Sequence, residues 1–110
     1  MTTLIFRKKF TGKESREDLH NIIDNYLNPE KIKDLRFVFV LRRYGEKTKK
    51  VDCYNFGGKW IRVNYIGPKR LSTREASFDD LIKRTMATME LPQKLIYVAD
   101  INLSVYGNKE

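Results

Sequence analysis

The chain has 110 residues, a formal net charge of +8 and 41% hydrophobic side chains, enough for one domain with its own core. No run of 18 apolar residues marks a membrane helix, and no apolar leader opens the chain, so a cytoplasmic protein without membrane contact is expected. A single cysteine, Cys53, excludes an internal disulfide and a cysteine-rich zinc site.

The first element is a strand over residues 3–10, alternating Leu4, Phe6, Lys8 and Phe10 against Ile5, Arg7 and Lys9. Ser15 followed by Asp18 reads as a capping box that opens a helix over 16–27. Its apolar residues, Leu19, Ile22, Ile23, Tyr26 and Leu27, fall on one stripe, and Asn28-Pro29 ends it. Three antiparallel strands follow over 35–44, 49–56 and 59–66. They are separated by a four-residue turn, Gly45-Glu46-Lys47-Thr48, and by Gly57-Gly58.

Even loops fix the faces of these strands. Tyr44 would face Lys49, Phe39 would face Tyr54, and Phe37 would face Phe56; Tyr54 would face Ile61 across the second hairpin. Leu35, Phe37, Phe39, Leu41, Tyr54, Phe56, Ile61, Val63 and Tyr65 then make the core face. Arg36, Arg42, Asn55, Trp60, Arg62 and Asn64 lie on the other, with Val38, Val40, Val51 and Cys53.

Residues 67–74 read as a basic loop carrying Lys69, Arg70 and Arg74. A second capping box, Ser77 and Asp80, opens a helix with Phe78, Leu81, Ile82, Met86 and Met89 on one stripe, bounded by Pro92. A last strand over 94–106 has Leu95, Tyr97, Ala99, Ile101, Leu103 and Val105 on one side, and residues 107–110 read as a frayed tail. The expected fold is α+β: a two-layer sandwich in the order β-α-β-β-β-α-β, with a mainly antiparallel sheet and both helices on one face. The inner α-β-β-β-α order resembles double-stranded-RNA-binding domains, and with the strand before it is similar to ribosome-hibernation factors. The likeness is one of element order. Those RNA binders start their second helix with lysines, whereas here Asp79 and Asp80 stand there.

The charge is uneven. Residues 35–75 hold 11 basic and 3 acidic side chains, while the segments on either side nearly balance. Such clustering favours an acidic partner, nucleic acid first. On the face turned away from the helices, Arg7, Lys9, Arg36, Arg42 and Arg62 would neutralise phosphates. Trp60 would stack on bases, and Asn55 and Asn64 would bond base edges. Lys69, Arg70 and Arg74 would add a backbone grip. This predicts a non-catalytic, single-strand-preferring RNA- or DNA-binding protein without cofactor or metal.

The runner-up is a protein-interaction module: a homodimer through the same face, or an inhibitor docking on an acidic protein surface, of the kind found among viral and mobile-element accessory proteins. A metal-free nuclease ranks third. The only histidine, His20, pairs with Asp24 at i+4, but no third ligand accompanies them.

Overall fold

A computed structural model describes residues 2–94 and 98–109. Six strands and two helices follow in chain order: β1 (Thr3–Phe10), α1 (Arg16–Tyr26), β2 (Ile32–Arg43), β3 (Lys49–Phe56), β4 (Lys59–Ile66), β5 (Lys69–Ala76), α2 (Phe78–Lys94) and β6 (Val98–Lys109). The strands form one antiparallel sheet in the order β1-β6-β2-β3-β4-β5. This is the α+β architecture expected, with one strand more. β6 threads between β1 and β2, and β2 to β5 form a meander.

Both helices start as their sequences dictate. In α1 the Asp18 N–H donates to Ser15 Oγ (3.1 Å) and the Ser15 N–H to Asp18 Oδ2 (3.1 Å), closing the capping box. In α2 the Asp80 N–H donates to Ser77 Oγ at 3.2 Å. α1 buries Leu19 and Ile22, and Tyr26 stacks on Phe6 of β1 with ring centroids 4.1 Å apart. α2 buries Leu81, Thr85 and Met89. Burying Thr85 is tolerated because its hydroxyl donates to the Leu81 carbonyl at 2.8 Å. Pro92 does not bound α2 as expected but lies inside it, the helix running on to Lys94. There Gln93 Nε2 donates to the Glu14 carbonyl (2.7 Å), tying the helix end to the loop before α1.

The main core lies between the sheet and the helices; Val38 and Val63 are also buried, on the opposite face. Phe10 of β1, Ile101, Leu103 and Val105 of β6, and Phe37 and Phe39 of β2 are buried against the helices. Among the described residues no helix is long and apolar enough to cross a membrane.

Three further expectations are corrected. First, residues 69–76 are not a loop but the edge strand β5, joined to β4 through Gly67-Pro68 with Gly67 at φ 53°. Second, β2 and β3 pair as Phe37↔Cys53, Phe39↔Val51 and Leu41↔Lys49, leaving seven residues between the last partners instead of four. The end of β2 is drawn to β6, where Arg42 faces Asp100, so β3 cannot follow it to residue 44. An odd loop reverses the faces of β3 and β4 relative to β2. Cys53, Asn55, Trp60, Arg62 and Asn64 therefore lie on the helix side, whereas Tyr54, Ile61, Val63 and Tyr65 lie on the bare side.

Third, Gly107 to Lys109 continue β6 instead of fraying. A Cβ on Gly107 would come within 2.5 Å of Ile32 Cγ2 and 2.9 Å of the Lys33 carbonyl oxygen, so only glycine lets β2 approach. β1 is also shifted in register between Leu4 and Phe6, which moves Leu4 away from the core. Leu95, Tyr97 and the Ala99 side chain of the expected last strand lie outside the described residues.

Candidate nucleic-acid interface

The residues singled out in the sequence fall on two surfaces. Arg7, Lys9, Arg36 and Arg42 do share the helix-free face, together with Lys50 and Arg70 by register. Three of these six cations are ion-paired internally. Asp52 accepts from Arg36 through Nε (2.9 Å) and Nη2 (2.7 Å), a fork-to-fork pair beside the Tyr106 ring. Asp100 accepts two hydrogen bonds from Arg42, lies 3.4 Å from Lys9 Nζ, and accepts from Asn102 Nδ2 at 3.2 Å. Both carboxylates are nearly inaccessible, at 6% and 2% exposure. The hydrogen bond from Arg42 holds the Asp100 carboxyl below the usual range, and the bonds to Asp52 and Asp100 push both guanidinium pKa values up. Arg7 Nε reaches Ser104 Oγ at 3.4 Å, and Lys50 Nζ sits 4.8 Å from the Tyr65 ring centre. On the helix-free face Lys9, Arg36 and Arg42 are thus held by two carboxylates, whereas Arg7, Lys50 and Arg70 have no ion-paired carboxylate among the described residues.

Trp60 is not a stacking platform on that face. Its ring packs 5.0 Å from Phe78 of α2 and 6.3 Å from Phe37, joining helix to sheet. Asn55 holds the β3–β4 turn, accepting from the Gly58 N–H at 3.1 Å. Cys53 is buried beside Phe37, and burial pushes its thiol up to about 12, so it stays a neutral packing group.

The sheet is wider than the helix layer above it, so β4 and β5 overhang α2. Arg62 of β4 faces Arg74 of β5 in the helix-side row, and α2 brings Arg84 over both. These three, with Lys83, Asp80 and Glu75, line a cleft of about 540 Å³. Burial lowers the Arg62 pKa, and the positive charges of Arg84 and Arg74 lower it further. None of the three arginines is ion-paired to a described carboxylate; Glu75 instead lies 3.7 Å from Lys59 Nζ.

Next to the cleft, and sharing Arg62 with it, is a cavity of about 350 Å³. It is walled by Phe39, Leu41, Val51, Ile66, Leu71 and Leu91, with Asn64, Ser72 and Thr88 also lining it. Asn64 Nδ2 donates to Ser72 Oγ at 2.9 Å. Of the predicted residues, the structure therefore brings Arg62, Asn64 and Arg74 together, leaves Lys69 on the same strand, and separates them from Arg7, Lys9, Arg36 and Arg42.

Lys83, Arg84, Ser72 and Thr88 were not legible as site residues. Arg84, Thr88 and Leu91 do lie at i, i+4 and i+7, a stripe flanking the buried one, and that spacing was the available signal. Among the described residues no three of His, Cys, Asp and Glu lie close enough to hold a metal. No protein-family model, curated protein or solved structure matches the chain.

Proposed function

We propose that the protein binds nucleic acid through its phosphate backbone, in the cleft between α2 and the overhanging β4–β5 hairpin. The reading is carried by one observation: Arg62, Arg74 and Arg84 converge there without an ion-paired carboxylate among the described residues. Held together in the free protein, three like charges repel, and the cost grows where one is partly desolvated. A polyanion reverses the sign of that interaction. Lys83 of α2 also lines the cleft, and Lys69 on β5 extends positive charge along the same strand. Guanidinium forks suit phosphate oxygens better than lysine does, which favours a phosphodiester chain over a diffuse acidic surface. The helix-free face supports this role poorly, because Asp52 and Asp100 already engage its best-placed cations.

Fluorescence anisotropy with labelled single-stranded RNA and DNA tests the proposal. Replacing Arg74 and Arg84 together by alanine weakens binding by about tenfold or more near 50 mM salt, the range in which phosphate contacts dominate affinity. Thermal stability of the same variant holds or rises, since like-charge repulsion has been removed. Unchanged affinity in a folded variant sinks the proposal.

A further inference from the structure

We propose that the ligand is single-stranded and that the apolar cavity beside the arginine cleft receives one of its unpaired bases. This rests on the nucleic-acid reading and narrows it. Arg62 lines both spaces, so a phosphate engaged by its guanidinium holds the attached nucleotide at the mouth of the cavity. The cavity is apolar in its walls, with Phe39 and Leu41 on one strand and Leu91 on α2. It is also equipped for more than hydrocarbon. The Asn64 amide and the Ser72 hydroxyl bond each other at 2.9 Å. The second amide hydrogen and the Asn64 carbonyl oxygen make no hydrogen bond to the described residues.

A planar aromatic ring edged with donors and acceptors fits that combination, and a phosphodiester supplies such a ring one bond system away from the charge it needs. An acyl chain would leave the amide unsatisfied. A base in a duplex would have to leave its stack to enter, whereas an unpaired one enters freely. The site therefore distinguishes strands by what can reach the cavity.

The test compares an intact single-stranded oligonucleotide with an abasic one of the same length and phosphate count, by anisotropy at roughly 50 mM salt. The wild-type protein binds the intact strand about tenfold more tightly, the scale of one base buried against side chains. Ser72→Phe, which fills the cavity from an edge strand that accommodates aromatics, abolishes that preference, so that intact and abasic strands bind the variant alike. Equal wild-type affinity for both strands overturns the base pocket while leaving the phosphate cleft standing. A preference that survives in a folded Ser72→Phe protein overturns it too. If neither strand binds, the cleft reading and the pocket fall together. The wild-type comparison decides the matter without any variant, so a misfolded Ser72→Phe protein cannot leave it open.

Discussion

Asp100 shows how a single carboxylate can change the meaning of a surface. It is buried in β6, accepts the fork of Arg42, and lies within ion-pair distance of Lys9. Its ionised form is favoured in the folded chain, chiefly by the Arg42 hydrogen bond, so its folded pKa lies below the unfolded value of about 3.9. Stability from this group is then fully present above about pH 4, and is lost as pH falls through the lower folded value. Arg42, its own pKa raised by this pairing, stays charged throughout that window. Urea unfolding of wild type and Asp100→Asn at stepped pH should show the wild type more stable at pH 7 and the gap closing below about pH 4. A gap that is independent of pH would mean that packing, not charge, explains the cost. The same residue explains why Arg42 looked like a free cation in the sequence: its partner lies 58 positions away, and that of Arg36 lies 16 away. Net charge is visible in a sequence; pairing across strands is not.

Elements differ in how plainly they announce themselves. Both helices were legible because cap and stripe are local signals, and Ser15-Asp18 and Ser77-Asp80 behave as their chemistry requires. β5 was not. It is an edge strand on the overhang, mostly exposed on both faces, so it needs no alternation of apolar residues and reads as a basic loop. The two strands before it were recognised, but their faces depend on the parity of one loop, and the Arg42–Asp100 attachment to β6 sets that parity. Trp60 is the element-scale consequence. Packed between Phe78 and Phe37, it joins α2 to the sheet outside the cleft lining. Trp60→Ala should cost about 2–4 kcal/mol, toward the lower end of large-to-small core substitutions because the ring is only partly buried. Where the variant remains folded, strand affinity should fall no more than a few-fold. Urea titration and anisotropy on the same sample measure both. A stable Trp60→Ala protein that has lost binding would return the tryptophan to the ligand.

At the scale of the whole molecule, a charge of +8 is divided by architecture between a face whose central arginines are ion-paired and a cleft whose arginines are not. Because the sheet is one layer with helices on one side, every strand residue must belong to one of two environments. The central strands pair Arg36 and Arg42 with Asp52 and Asp100, whereas Arg62 and Arg74 meet Arg84 in a cleft that also holds Asp80 and Glu75 but forms no ion pair with them among the described residues. Ion-paired cations release few counterions when a phosphate approaches, since breaking the internal pair offsets the gain; unpaired cations release theirs fully. The salt dependence of binding therefore reports which surface the ligand uses. Removing two engaged cations reduces the slope of log affinity against log salt by about 1.4 for a single strand. Arg74→Ala with Arg84→Ala should produce that reduction, while Arg36→Ala with Asp52→Ala, which removes one cation and its carboxylate partner together, should leave the slope close to the wild-type value. The opposite pattern would move the ligand to the helix-free face and make the cleft a feature of the fold alone. Equal reductions from both pairs would mean a strand long enough to cross the β5 edge and engage the two surfaces at once, so an oligonucleotide shorter than that path restores the distinction.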